Sequence, residues 1–181
     1  MHKEFQVKKA NPNQHRIVKA DSKVLGDGDI RVDIDQFAFT ANNLTYAAAG
    51  DSLGYWQFFP ALENDDNTWG IIPVWGFADV VESKHEAIPV GDRLYGYFPP
   101  ATSLIIQPSH VSDRSLVDNS AHRQALPPLY NRYNRVLADS QYDRSTDAAR
   151  ILLAPLHVTS FCLWDQLKSN NYYGAEQVVI V

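Results

Sequence analysis

Apolar and polar residues alternate most cleanly in "DIRVDIDQFAFT", where Ile30, Val32 and Ile34 fall on one side and Arg31, Asp33 and Asp35 on the other. A period of two predicts a strand with one wet face, and the change of phase to Phe37 and Phe39 predicts a bulge or a switch of exposure near Gln36. The preceding "LGDGD" is a turn signal, and "QHRIVKA" before it is expected to pair with this strand as a hairpin. The acidic residues of that turn do not continue into an EF-hand spacing, so they read as turn chemistry rather than a calcium loop.

Further along, "ANNLTYAAAG" predicts a short Ala-rich helical turn with Asn42 or Asn43 as its N-cap and Gly50 as its stop. "WGIIPVWGFADVVES" is strand-like from Trp69 to Glu82, with Pro73 and Gly76 marking an edge, a bend or a barrel corner. "VGDRLYGYFPP" and "TSLIIQPSHV" predict two more strands separated by the Pro99-Pro100 turn. Residues 1–112 therefore read as a β-rich unit with short strands and frequent turns, the pattern of a barrel.

The pattern changes after Asp113. Leu129, Tyr130, Tyr133, Val136 and Leu137 recur at helical spacing, so residues 113–173 are expected to be a helical segment packing on the barrel or linking onward. A second helix is expected to start with Ser145 or Thr146 as cap, with Pro155 ending or kinking it midway and an apolar face broad enough to be buried. Residues 174–181, "GAEQVVIV", read as a strand buried on both faces: a turn-forming Gly followed by a β-branched run.

Composition narrows the partners. The 181 residues are 45% hydrophobic and 20% charged, with a formal net charge of -5. That is the range of a globular chain long enough for one substantial core. Lys and Arg are scattered, so nucleic acid is not expected as a partner. The single cysteine, Cys162, excludes an internal disulfide and a Cys-based zinc site, and reads as a small buried residue rather than a reactive nucleophile. No run approaches the roughly 18 apolar residues of a membrane span and the start is too polar for a signal peptide, so no membrane is expected and the cytoplasm is the default location. His85, His110, His122 and His157 do not fall at paired ligand spacings. Tyr55, Trp56, Phe58, Phe59, Trp69 and Trp75 are a heavy aromatic load, either a pocket for a planar substrate or ordinary core plus a surface another domain covers.

The order of barrel-like strands, "IIPVWGFADVVES", "IPVGDRLYGYF", helices, "LLAPLHVTSFCLW" and finally "GAEQVVIV" resembles the medium-chain dehydrogenase/reductase superfamily. More narrowly, "ANNLTYAAAGDSLGYWQFFPA" resembles a domain-of-unknown-function subfamily of it. The resemblance covers most of the chain from Asp29 to Val181. It implies a mainly β fold with α: a GroES-like β-barrel, helices, and the first strand of a missing Rossmann domain at 174–181.

Zinc-dependent members of that superfamily carry a Cys where this chain has Ala41-Asn42 and a Gly-His-Glu motif after an Ile-Pro pair. Here Ile72-Pro73 is followed by Val74, Trp75 and Gly76, which supply no zinc ligand. No metal site is therefore expected. The resemblance then points to the zinc-free, quinone-oxidoreductase-like branch, where a nicotinamide carries the hydride and the protein orients the acceptor. An enone, quinone or other activated carbonyl needs a donor for its developing enolate charge. Asn42 or Asn43 and Tyr46 are the candidates, and Thr159 is similar to the family Thr near the nicotinamide. Beside these stand ordinary readings: Asn42 as a helix cap, Tyr46 as a half-buried aromatic, Thr159 as a packing residue bonded to its own helix.

No G-x-G-x-x-G occurs, so no cofactor is expected to bind this chain alone, while NAD(P)H is expected for a full-length relative. Two other classes stay open: a non-catalytic barrel that binds a small molecule, and an interaction module that forms homo-oligomers through the "QVVIV" strand.

Overall fold

A computed structural model of the chain describes residues 1–177 and Val179. The β-elements come in the order β1 (His2–Lys8), β2 (Asn11–Ala20), β3 (Ile30–Ala38), β4 (Trp69–Gly70), β5 (Val74–Ser83), β6 (Arg93–Phe98), β7 (Ser103–Ile106), β8 (Pro108–Ser109), β9 (Ser115–Asp118) and β10 (Arg132–Arg135). Helix α1 (Ala41–Ala48) follows β3, and the 23-residue α2 (Asp147–Ser169) follows β10.

Seven strands form one sheet in the order β7-β3-β5-β6-β10-β9-β8, and β2-β1-β4 form a second. The two ends of the large sheet are consecutive in sequence: β7 runs into β8 through Gln107 alone. The Gln107 carbonyl accepts from Asn119 N at 2.9 Å, and its N–H donates to Asp118 Oδ1 at 3.2 Å. The sheet thereby curls into a nearly closed barrel that hides its own edges. Its interior holds Ile30, Val32, Val74, Ala78, Leu94, Phe98, Ile106, Leu116 and Tyr133. The small sheet is tied on by Phe5 N to Pro100 O at 3.0 Å and Thr102 N to Lys3 O at 2.9 Å. The fold is thus mainly β with α, as the sequence predicts.

Strand β3 follows its alternation: Ile30 and Val32 are buried, Asp33 and Asp35 exposed. Its register against β5 slips between Ile34 and Gln36, where a bulge was expected. Phe37 and Phe39 nonetheless stay 43% and 52% exposed, although Phe37 still pairs with Gly76 of β5; the chain turns into α1 just beyond. Residues 11–20 pair with β1, not with β3 as expected. The β1 pattern hides this pairing, since its inward residues include Glu4 and Gln6, 5% and 0% exposed.

The Gly-Asp-Arg turn joins β5 to β6. Gly91 sits at φ 91°, open to glycine at little cost, and its N–H donates to Val80 O at 2.8 Å. After it, β6 alternates between two buried faces: Leu94, Gly96 and Phe98 belong to the barrel, while Arg93, Tyr95 and Tyr97 face outward under other elements.

Three expectations change. Residues 115–118 and 132–135, expected within a helical segment, are strands of the large sheet, so the sheet reaches past residue 112. The spacing of Tyr130, Tyr133 and Val136 is three, which a strand between two short 3₁₀ turns satisfies as well as an α-helix. Helix α2 does begin after Thr146 and contains Pro155, but its apolar side is not buried: Leu152, Leu153, Leu156, Val158, Phe161, Leu163 and Trp164 are 48–68% exposed. Cys162 is exposed with them rather than buried. Of the strand predicted over 174–181, Val178, Ile180 and Val181 lie outside the described residues, and with them most of the edge for strand addition; Gly174 closes a 3₁₀ turn, and Ala175, Glu176, Gln177 and Val179 belong to no strand.

Candidate functional site

Arg93 decides where α2 docks. Its guanidinium is almost wholly buried and meets three carboxylates: Asp79 through both oxygens at 2.7 and 2.8 Å, Asp35 at 2.7 Å and Asp147 at 2.8 Å. These come from β5, β3 and the first turn of α2, so one side chain ties the helix start to the outer face of the barrel. Tyr142 Oη and Gln36 Nε2 also donate to Asp147 Oδ2, at 3.0 and 3.2 Å. Arg93 is pushed above its ordinary pKa by these carboxylates although burial alone would lower it. The Arg93 contact holds the Asp35 carboxyl below its usual value.

The sequence fixes α1 on the other side. Thr40, not Asn42 or Asn43, is its N-cap residue. Asn43 is the third residue of the helix and reaches back, its Oδ1 accepting from Thr40 N at 2.6 Å. Its Nδ2 donates to Pro73 O at 2.8 Å. That carbonyl lies in the break between β4 and β5, so Asn43 pins α1 to the break.

Between α1 and α2 is a cleft of about 180 Å³. Thr40, Asn42, Asn43 and Tyr46 line one side, Trp75 the floor, and Ile151, Leu152, Pro155 and Leu156 the other side. Asn42 and Tyr46 are four residues apart and share a face of α1, while Asn43 and Ala47 share the buried face. The cleft therefore brings together Asn42, Asn43 and Tyr46. Of these Asn42 is exposed and Tyr46 half-buried, whereas both polar atoms of the Asn43 amide are used by the fold. Thr159 does not line it: it is exposed, one turn beyond Pro155.

Behind the cleft is an aromatic cluster. Trp75 stacks on Tyr95 at 5.8 Å between ring centres and meets Tyr97 at 5.3 Å. Tyr46 meets Tyr97 edge-on at 5.8 Å and Tyr55 at 4.7 Å, and Tyr130 closes on Tyr97 at 4.7 Å. Tyr130 is placed by a second buried arginine, Arg123, which donates to its carbonyl, to Asp118 Oδ2 at 2.9 Å and to Tyr133 Oη at 2.8 Å. Burial raises the pKa of the Tyr46 phenol, with Trp75 and Tyr97 pulling partly the other way. Burial pushes Tyr95 up to about 12 against the opposing charge of Arg150, and Tyr97 higher still. All three are neutral phenols at physiological pH, able to donate. Among the described residues the hydroxyls of Tyr95 and Tyr97 have no hydrogen-bond partner. An unserved buried polar group costs about 1–3 kcal/mol.

Sequence reasoning missed a second arrangement. His2 Nδ1 lies 3.1 Å from Ser103 Oγ, and His2 Nε2 lies 3.4 Å from Glu4 Oε2. The partners are 101 residues apart in sequence, so no motif signals them. This chain borders a cavity of about 300 Å³ with Arg31, Phe59, Leu104 and His122. A nucleophilic hydroxyl must be reached by the electrophile it attacks as well as by its base, and Ser103 is buried inside β7 at 8% exposure. The arrangement serves as a polar link from β1 to the barrel.

Among the described residues no group of three or more His, Cys, Asp and Glu could hold a metal ion. Nor is any described helix long and apolar enough to cross a membrane.

A mainly β chain with a nearly closed seven-stranded barrel sheet and a cleft under two helices is the class these observations define. The chain belongs to the family described as "Protein of unknown function (DUF2855)", whose model matches residues 37–181. No curated protein matches it. Among solved structures it is similar to CurA from Vibrio vulnificus at 9% identity and a TM-score of 0.43, over 60% of this chain and 31% of that one. The chain thus spans about a third of the length of that protein.

Proposed function

We propose that the chain is the substrate-side part of a zinc-independent, NAD(P)H-dependent oxidoreductase of the medium-chain dehydrogenase/reductase type, acting on an enone, quinone or other activated carbonyl. The observation that carries this reading is the cleft that gathers Asn42 and Tyr46 over Trp75. A carbonyl oxygen only accepts hydrogen bonds, and the reduction of a conjugated carbonyl builds negative charge on it. A neutral phenol such as Tyr46 stabilises that charge by donating, and the apolar wall of Ile151, Leu152 and Leu156 suits the hydrocarbon part. Asn42, four residues before Tyr46, is the second donor available from the same helix face.

The nicotinamide cofactor would supply the hydride, but the described residues do not form its cradle. A pyrophosphate seats on a free helix N-terminus after a glycine-rich turn. Here the start of α1 is closed by the Thr40–Asn43 cap, and Asp147 in the first turn of α2 is engaged with Arg93. Thr159 stands in solvent. The role left to this chain is to bind and orient the acceptor.

Thermal unfolding in the presence of paired compounds tests the reading. An enone or quinone should raise the melting temperature without any cofactor, its alcohol counterpart should raise it less, and Tyr46→Phe should shrink the difference. Equal responses to carbonyl and alcohol, or none to either, would contradict it.

A further inference from the structure

The small sheet has an open edge. In the order β2-β1-β4, strand β2 is outermost along all ten of its residues, and β1 alone pairs with it. The direction of the open groups follows from β1. Its Lys3 O accepts from Thr102 N and its Phe5 N donates to Pro100 O, so these residues turn their backbone groups away from β2. Lys19 lies opposite Lys3, Ile17 opposite Phe5 and His15 opposite Val7. Antiparallel pairs alternate between bonding each other and bonding outward. The N–H and C=O groups of His15, Ile17 and Lys19 therefore point to the free side, and among the described residues no strand bonds them there. Such an edge is a template for one more strand.

The side chains beside that edge select what the strand carries. Phe5 and Ile17 share one face of the β1–β2 hairpin, and with Phe37, Phe39, Pro100 and Ala101 they line an open groove of about 440 Å³. Ile17 is 64% exposed. Lys3 and Lys19 face each other on the same side, both exposed and, among the described residues, in no ion pair. Charge is divided along the chain in the same sense. Residues 1–23, which hold β1 and β2, carry six Lys and Arg against two Asp and Glu, a formal net of +4, and the rest of the chain is at -9. Glu4, one of those two acids, is buried in bonds to His2, Gln6 and Leu62 N. The sheet thus shows solvent a basic surface on a chain that is negative as a whole. Pairing β2 with the β2 of a second copy would bring two +4 sheets together, whereas an acidic strand is attracted.

We propose that the β2 edge is the docking site for an extended acidic peptide of a partner protein. The peptide adds to the small sheet as a fourth strand and takes the open N–H and C=O groups of His15, Ile17 and Lys19. An aliphatic residue lies beside Ile17 and extends the apolar floor of the groove. Carboxylates two residues to either side of it share that face, one of them meeting Lys19. This surface shares no residue with the cleft between α1 and α2, so it stands whether or not the cleft takes a carbonyl compound.

The probe is a capped Thr-Glu-Thr-Val-Thr-Glu-Thr peptide, with Lys in place of both Glu as its counterpart, titrated into the ¹⁵N-labelled full chain. The acidic peptide should shift the amide signals of His15, Ile17 and Lys19 and slow their hydrogen exchange. The basic peptide should bind at least about tenfold more weakly. Lys3→Glu combined with Lys19→Glu, at two exposed positions, should reverse that preference. Ile17→Pro should abolish binding while leaving the β1 signals in place, because the N–H it removes bonds nothing in the free chain. If Ile17→Pro does not fold, the charge reversal decides alone. Equal binding of the two peptides, an unchanged preference in the reversed variant, or shifts that spare the β2 edge would overturn the proposal, as would no response to the acidic peptide. Protection of the same three amides that grows with protein concentration and without peptide would give the edge to a second copy. Binding to phosphatidylserine vesicles with no response to the peptide would give the basic sheet to a lipid surface. Either result also overturns it.

Discussion

Asn43 shows how one residue can be read for chemistry and used for architecture. Its carbonyl oxygen and amide nitrogen are both committed, to Thr40 N and Pro73 O. Replacing it with alanine removes the reciprocal cap of α1 and leaves a carbonyl at the β4–β5 break unserved. Asn43→Ala should cost about 1–3 kcal/mol in denaturant unfolding; an unchanged midpoint would show that α1 is held by packing alone. Asn42, one place earlier, is exposed and should tolerate alanine with less than about 0.5 kcal/mol, the usual range for surface positions away from caps. The sequence "ANNLT" announces a helix start but does not separate these roles. Which Asn turns inward depends on where the Pro73 carbonyl lies, and that is a contact across 30 residues.

At the scale of elements, Arg93 is the joint between barrel and helix. Removing it leaves Asp147, 1% exposed, without its positive partner, and leaves Asp35 and Asp79 facing each other with, among the described residues, only the exposed Arg144 in ion-pair range, at 3.1 and 3.6 Å. Breaking a buried pair by deleting one partner costs about 3–5 kcal/mol. Arg93→Met should therefore lower stability by that order, and hydrogen exchange should speed up first in the opening turns of α2. Uniform protection in α2 would show that the helix docks without the ion pairs. How much of each element is visible in the sequence follows from what its inward side carries. Strand β3 is legible because Ile30 and Val32 are apolar and alternate with charge. Strand β1 is not, because Glu4 and Gln6 point inward to serve the Leu62 carbonyl and N–H. Strand β10, "RYNR", buries Tyr133 alone, and one residue makes no period. Gly96 allows that burial: a Cβ there would fall 2.4 Å from the Tyr133 ring.

For the whole molecule, the barrel and the cleft share one strand, since β6 turns Leu94, Gly96 and Phe98 into the core and Arg93, Tyr95 and Tyr97 toward the helices. The sequence places Tyr95 and Tyr97 in a predicted strand and names Tyr46 as a candidate. Their meeting is tertiary, produced by the docking of α1 and the Arg123-held loop against β6. The concentration of buried phenols has a consequence for pH. Tyr95 and Tyr133 are raised from 10.0 to about 12, and Tyr97 and Tyr130 are raised as well. The folded state favours the neutral form, so this contribution to stability is complete below pH 10. It falls as the unfolded chain ionises above pH 10. The chain should unfold cooperatively between about pH 10 and 12, with tyrosinate absorbance appearing together with the loss of circular dichroism. Titration of all nine tyrosines near their ordinary value in an intact fold would contradict the burial.

The same arrangement makes the central claim measurable without any cofactor. In an NMR spectrum of the chain with duroquinone, a tetramethyl quinone, nuclear Overhauser contacts should link the ligand methyl groups to ring protons of Trp75 and Tyr46, which line the cleft. Contacts to Phe59 and Leu104 of the second cavity instead, or to the exposed side chains of α2, would contradict the assignment of the cleft as the site of a carbonyl ligand.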